Sequence, residues 1–240
     1  MEMSANKAAY RRVLLKISGE ALGGESGRGI DLDFLKSVCG AVMDCVKNGA
    51  QVAITVGGGN FWRGVKDGGG KMERTRADQM GMMATVMNCL ALQDCFIQLG
   101  QPARVMTMIG VGPVAELYEH DRAIRHLEKG RVVIFGCGTG SPYFSTDTAA
   151  VLKGVEIGAD VVLMAKNIDG VYSADPHTDP TAVRYDEIAY DEILGKHLGV
   201  VDSTAACMGR DNAMPLMLFR LSPEDIRRVI GGEKAGTMVR

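Results

Sequence analysis

Val132-Val-Ile-Phe-Gly-Cys-Gly-Thr-Gly-Ser-Pro-Tyr-Phe-Ser-Thr-Asp147 decides how this chain is read. An apolar, β-rich run breaks into glycines and small hydroxyl residues. It ends on an aspartate that opens a helix-like stretch through Thr148, Ala149, Ala150 and Leu152. Glycines let a ligand approach the backbone closely, and backbone amides with the hydroxyls of Thr139, Ser145 and Thr146 supply donors for an anion. A buried strand ending in such a loop is where parallel α/β sheets place ligands. A plain strand-to-helix turn would be shorter and poorer in donors, and a second glycine-rich strand end lies near the N-terminus.

Outward from this stretch, strand-like and helix-like runs alternate. Arg12–Ser18 and Gln51–Val56 read as buried strands, with helical spacing at Leu32, Leu35, Val38, Cys39, Val42, Cys45 and Val46 between them and Gly49 as a stop. A long helical stretch, Glu73–Leu99, exceeds the usual helix length, so a break within it is expected. Its Met80, Met82, Met83, Met87, Leu90 and Leu92 offer more apolar surface than one stripe requires, for core packing or a subunit contact. Strands are predicted at Arg104–Ile109, Arg131–Phe135, Asp160–Ala165 and Pro215–Phe219. Helices are predicted at Ala123–Lys129, Asp186–Lys196, Thr204–Asn212 and from Ser222-Pro223, before a terminal Thr237-Met-Val. Repeated βα units imply a mostly parallel sheet with helices on both faces. No linker or repeat marks a boundary, so residues 1–10 are read as a flexible N-terminus and 11–240 as a single domain.

Composition narrows the function classes. Apolar content of 46% and charged content of 23% are those of an ordinary globule. A net charge of −2 and a single tryptophan give nucleic acid no electrostatic or stacking platform. No uninterrupted apolar run approaches the roughly 18 residues of a spanning helix, so no membrane partner is expected. Met1–Lys7 lacks the apolar core of a signal peptide, which makes the cytoplasm the expectation. The six cysteines show no CxxC spacing and read as reduced thiols. Glycines, 31 in all, gather at strand ends, which points to loops that approach a ligand.

Three loops bear on chemistry. In Lys16-Ile-Ser-Gly-Glu-Ala-Leu22 a lysine ends a buried strand, an expensive place unless its ammonium meets an anion. In Gly57-Gly-Gly-Asn-Phe-Trp-Arg-Gly64 three glycines let amides converge on phosphate oxygens, and Arg63 adds a guanidinium. Gly68–Gly70 follows no strand and reads as a flexible loop. Asn167-Ile-Asp-Gly-Val-Tyr-Ser-Ala-Asp-Pro176 is either a capped loop or a shelf for a base and its ribose. No GxxxxGK[ST] occurs, and Gly136–Gly140 has GxGxG spacing with Pro142 where a Rossmann helix would begin, which argues against a dehydrogenase.

Read together, these motifs, with Ala77-Asp-Gln-Met-Gly81 and Gly232-Glu-Lys-Ala-Gly-Thr237, closely resemble the bacterial uridylate kinases of the amino acid kinase superfamily, from about residue 11 onward. The resemblance implies an open αβα sandwich and transfer of the ATP γ-phosphoryl to UMP in pyrimidine nucleotide biosynthesis, with Mg²⁺, in a homohexamer. It implies that Lys16, Ile17, Ser18, Gly19, Gly59 and Arg63 bind ATP at its phosphates. Lys166, Asn167, Tyr172 and Asp175 would lie on the nucleoside side. Gly58, Asp78, Thr139, Gly140, Ser141, Pro142, Tyr143, Phe144, Ser145 and Thr146 would hold UMP, with Lys16, Arg63 and Asp147 as catalytic residues and the metal ligands open. Gly24, Glu25, Ser26, Gly27, Arg28 and Gly29, with Arg104 and Arg131, would lie near an activating GTP, and UTP is the expected inhibitor.

Where the family usually has Gly-Asn-Pro-Phe-Phe-Thr-Thr-Asp, this chain has Ser141, Tyr143 and Ser145, each keeping a hydroxyl or a ring. The region Leu117–Arg122 is less basic than is usual. Two other readings stay open: a kinase of the same fold acting on a small carboxylate or carbamate, and a noncatalytic nucleotide sensor. An acceptor phosphate needs no general base, and the four histidines, His120, His126, His177 and His197, read as surface or structural.

Overall fold

The computed structural model describes residues 9–63, 71–176 and 178–240. Most of the segment read as a flexible N-terminus, Gly64, the Gly68–Gly70 loop and His177 lie outside the described residues.

The strands are β1 (Arg12–Ile17), β2 (Gln51–Val56), β3 (Ala103–Thr107), β4 (Glu116–Leu117), β5 (Val132–Gly136), β6 (Val161–Lys166), β7 (Val171–Tyr172), β8 (Arg184–Tyr185), β9 (Glu187–Ile188), β10 (Leu216–Arg220) and β11 (Gly236–Val239). Nine of them form one sheet in the order β4-β3-β5-β2-β1-β6-β10-β11-β9; β7 and β8 form a separate hairpin pair. Only the β10–β11 pairing in the large sheet is antiparallel. The helices are α1 (Gly19–Leu22), α2 (Leu32–Lys47), α3 (Arg74–Gln98), α4 (His120–Glu128), α5 (Thr146–Glu156), α6 (Tyr190–Gly195), α7 (Ser203–Asp211) and α8 (Pro223–Ile230).

Alternate strand residues enter two cores. Val13, Leu15 and Ile17 join Val52, Ile54 and Val56 under α2, α3 and α8, while Leu14, Ala53, Val133 and Met164 face α4, α5, α6 and α7. Burial on both faces explains why these strands are continuous apolar runs rather than alternating ones. This is the mostly parallel sheet with helices on both faces that the alternation implies, and the open αβα sandwich that the resemblance implies.

Helix starts follow their caps. Asp31 accepts from Phe34 N at 2.9 Å, and the hydroxyl oxygen of Ser222 accepts from Asp225 N at 3.0 Å before a proline-led turn. The expected break in the long helix is absent: α3 runs unbroken for 25 residues. No proline interrupts it, and its lone interior glycine, Gly81, lies where Gly58 packs. A Cβ on Gly58 would come within 2.7 Å of the Gly81 carbonyl oxygen. By length and composition α3 could cross a membrane, yet Cys89, Leu92 and Phe96 bind it to the sheet as a core helix. The helix predicted over 186–196 is instead a two-residue strand, β9, followed by the short α6.

Candidate active site

Parallel neighbours β5, β2, β1 and β6 end side by side, so the loops that follow them converge on one edge of the sheet. Lys16, penultimate in β1, is 7% exposed, and its ammonium meets Asp147 Oδ1 at 2.9 Å. Lys166, last in β6, meets Asp147 Oδ2 at 2.7 Å. Asp147 stands in the first turn of α5, whose N-cap Ser145 accepts from Asp147 N and Thr148 N at 3.0 and 3.1 Å. Two cations thus share one carboxylate at a helix N-terminus, leaving a net positive, anion-attracting point.

Burial alone would raise the Asp147 carboxyl, but the charges of Lys16 and Lys166 and their hydrogen bonds reverse this and hold it below its usual value. For Lys166, burial and then the charge of Lys16 push the ammonium below the ordinary lysine range, with Asp147 and, less, Asp202 restoring only part. The resemblance set Lys166 on the nucleoside side; its ammonium lies on Asp147, beside that of Lys16.

A cavity of about 310 Å³ opens on one side of this cluster. Gly58, Gly59, Arg63, Asp78, Thr139, Ser141, Phe144, Ser145 and Thr146 line it, gathering most of the residues expected on the acceptor side. Trp62, Gly81, Met82, Thr85 and Gly138 complete the wall and were not among the site residues expected from the sequence. Arg63 reaches Glu20 at 2.9 Å and the Gly59 carbonyl at 3.3 Å, which fixes its guanidinium at the rim. Asp78 Oδ2 accepts from Arg74 Nε and from Tyr143 N, each at 2.8 Å.

Three loop residues expected in contact with the acceptor do not line the cavity. Gly140 packs against Met108, its φ of 84° placing it where only glycine is relaxed. Pro142 stands off the wall, and Tyr143 points outward, 65% exposed, with the Arg74 guanidinium 5.0 Å over its ring.

On the other side, a cavity of about 460 Å³ is bounded by Ser145, Asp147, Lys166 and the segment from Ile193 to Ser203. A third, of about 360 Å³, continues past His197–Val200 to Tyr172, Asp175 and Pro176. Tyr172 donates to Asp169 Oδ1 at 2.9 Å. Asn167 is exposed and lines neither of these two. Ile17 offers only its backbone, since its side chain is fully buried. Gly19 touches the glycine loop so closely that a Cβ would fall 2.6 Å from the Gly57 carbonyl oxygen.

His197 is exposed, in line with the surface reading, and also lines both of these cavities. His126 is buried between Glu116 and Arg131, and His120 rests on Asp121 and the Glu156 carbonyl. Segment 193–203 escaped the sequence reading as a site because it carries no glycine-rich signature.

The effector candidates are not gathered within one chain. Gly24–Gly29 follows α1, beyond the C-terminal end of β1, and is tied to Asn60. Arg104 and Arg131 stand at the N-terminal ends of β3 and β5, the opposite edge of the sheet. There Arg104 pairs with Glu116 at 3.8 Å, and Arg131 with His126 at 3.0 Å.

A parallel αβα sheet whose strand ends aim two lysines at one helix N-terminus, between two cavities, defines a protein that brings two anionic ligands together. The chain belongs to the amino acid kinase family, whose model matches residues 11–218. Among solved structures it is similar to UMP kinase from Bacillus anthracis, with 34% identity, TM-score 0.92 and 96% of each chain covered. It is also similar to UMP kinase from Ureaplasma parvum, with 34% identity, TM-score 0.90, and 95% and 98% coverage. Uridylate kinase from Archaeoglobus fulgidus matches at 28% identity and TM-score 0.73, over 95% of this chain and 99% of that one.

Proposed function

We propose that this chain transfers the γ-phosphoryl group of ATP to UMP, giving UDP and ADP, as a cytoplasmic enzyme of pyrimidine nucleotide biosynthesis. The observation that carries the reading is the pair Lys16 and Lys166 on Asp147, two residues from Ser145, which lines both the 310 and the 460 Å³ cavities. UMP enters the smaller cavity, with its ribose hydroxyls at Asp78 and its base along Thr139–Thr146. ATP enters the larger one and extends its nucleoside toward Tyr172 and Asp175.

The chemistry follows from charge. The acceptor phosphate is largely ionised near neutral pH, its second pKa being about 6, so no side chain need remove a proton. What two polyanions require is neutralisation and in-line placement. The two lysines and Arg63 neutralise the transferring group, and Asp147 holds both ammonium groups in place. Mg²⁺ fits as a companion of the ATP phosphates, which would hold it themselves. Among the described residues no group of three or more His, Cys, Asp or Glu side chains is placed for a metal ion, and both Asp147 oxygens meet lysines. When bound, Mg²⁺ supplies charge neutralisation across phosphate oxygens. The same reading brings a homohexamer activated by GTP and inhibited by UTP.

The intact lysine–aspartate–lysine cluster favours catalysis over a noncatalytic sensor, and the nucleotide-sized acceptor cavity with Asp78 on its wall favours UMP over a small carboxylate. Uracil presents O4 and N3–H where cytosine presents an amine and N3, so one set of loop donors and acceptors cannot suit both. UDP formation from ATP should therefore far exceed CDP formation from CMP or dCDP formation from dCMP. Comparable kcat/KM for the three acceptors would overturn the assignment of the base to residues 139–146, and no UDP at all would overturn the function.

A further inference from the structure

Asp202 sits where the donor-side wall meets the acceptor loop, and its carboxylate is committed in three directions. Oδ1 accepts from Ala205 N at 2.9 Å and so caps its own helix, α7. Both oxygens accept from the Thr148 hydroxyl, at 3.0 and 3.2 Å. Oδ2 also accepts from the Ser145 hydroxyl. Ser145 in turn caps α5, the helix that carries Asp147, and lines both cavities.

Among the described residues no cation lies within 4 Å of Asp202, whose partners are hydroxyls and one amide. Its charge reaches the Lys166 ammonium through space, but its hydrogen bonds go to short side chains of the opposite helix, and those fix geometry there. The first turn of α5 is thus clamped from the donor side at Ser145 and Thr148, the residues flanking Thr146 and Asp147. If that turn shifts, the Asp147 oxygens leave the positions that meet Lys16 and Lys166.

We propose that Asp202 is a positioning residue for phosphoryl transfer, acting on Asp147 and its two lysines through the hydroxyls of Ser145 and Thr148. The proposal rests on the reading of the chain as a UMP-phosphorylating enzyme and adds a residue to its machinery. Misplacing reacting groups by about 1 Å can lower a rate by about 100-fold. Losing the clamp therefore acts on turnover more than on substrate binding.

The test compares Asp202→Ala in two backgrounds, the wild-type chain and the double variant Ser145→Ala, Thr148→Val, with UDP formation and thermal unfolding measured on each. In the wild-type background kcat should fall about 10-fold or more, with both KM values changed by less than about threefold. In the double-variant background, where the hydroxyls are already gone, the same substitution should change kcat by less than about threefold. Equal losses in both backgrounds would mean that Asp202 acts directly on substrate or on Lys166 through its charge, and would overturn the proposal. A lowered Tm with unchanged kcat would reduce Asp202 to a structural cap and overturn it as well. Should Asp202→Ala fail to fold, Asp202→Asn retains an oxygen for the Ala205 amide and is compared in the same two backgrounds. Wild-type protein that forms no UDP would remove the functional reading and this proposal together; active wild type with either adverse result removes only the proposal.

Discussion

Lys16 and Lys166 share a carboxylate but do not sit in equivalent places. Lys16 is nearly buried within β1, whereas Lys166 ends β6 and lines the donor cavity. Lys16→Ala should lower kcat by about 10²–10³-fold, as for other preorganised charges, while KM rises far less. Near-normal turnover in that variant would make the lysine structural. The lowered pKa of Lys166 adds a pH signature. Its ammonium is present below that pKa and lost above it, so the alkaline limb of kcat should lie below the ordinary lysine value of 10.5. Lys166→Arg keeps the cation at every accessible pH and should shift or abolish the limb. A limb unchanged in Lys166→Arg would assign it to another group. Asp147 has the opposite sign: its depressed pKa contributes stability at neutral pH that is lost as pH falls through the lowered value.

Elements, rather than single side chains, hold the glycine loop after β2 in place. Asn88, fully buried in α3, donates to the Gly57 carbonyl at 2.7 Å and exchanges amide hydrogen bonds with Asn60 at 2.7 and 2.9 Å. Asn60 passes the link to the Gly29 carbonyl at 2.6 Å, so α3, the glycine loop and the turn after α1 are one network. Asn88→Ala strands the Gly57 carbonyl and one side of Asn60, at about 1–3 kcal/mol for each buried unpaired group. A loss of about 3 kcal/mol corresponds to roughly 6–12 °C in Tm for a chain of this size. A calorimetric Tm within 2 °C of wild type would show that water replaces the network. Neither asparagine was legible as a pair, because 28 residues separate them and nothing local marks a partner. The buried strands were legible, since burial on both faces leaves continuous apolar runs such as Val132–Phe135. Strands of two residues, β4 and β7 to β9, leave no pattern to read. The phosphate-side loops showed themselves by glycine at strand ends, but the donor wall at 193–203 is built by packing and escaped notice. Tyr143 illustrates the same limit. Its place in the motif suggested contact with the acceptor, yet Arg74 and a φ of 71° turn it outward.

At the scale of the whole molecule, α3 divides its methionines between two environments. Met82 is buried with Val86, while Met80, Met83 and Met87 are 41–46% exposed along the other side. Positions 80, 83 and 87 follow the three-and-four spacing of one helical face, which leaves an apolar stripe uncovered in a single chain. The homohexamer proposed above would bury this stripe at a subunit contact. Met83→Glu with Met87→Glu places charge on that face and should reduce the particle mass in sedimentation, and wild type sedimenting as a monomer at micromolar concentration would refute the contact. Assembly also bears on the effector. Arg104 and Arg131 lie at the sheet edge opposite Gly24–Gly29, so one GTP cannot touch both sets within a chain. An effector held by the two arginines would act across subunits, by shifting an equilibrium of the whole assembly. Arg131→Ala should then flatten the response of turnover to GTP while leaving the rate without GTP within about twofold. A full GTP response in that variant would move the effector away from the arginine edge, and a wild-type chain indifferent to GTP would remove the regulation without touching the phosphoryl-transfer site.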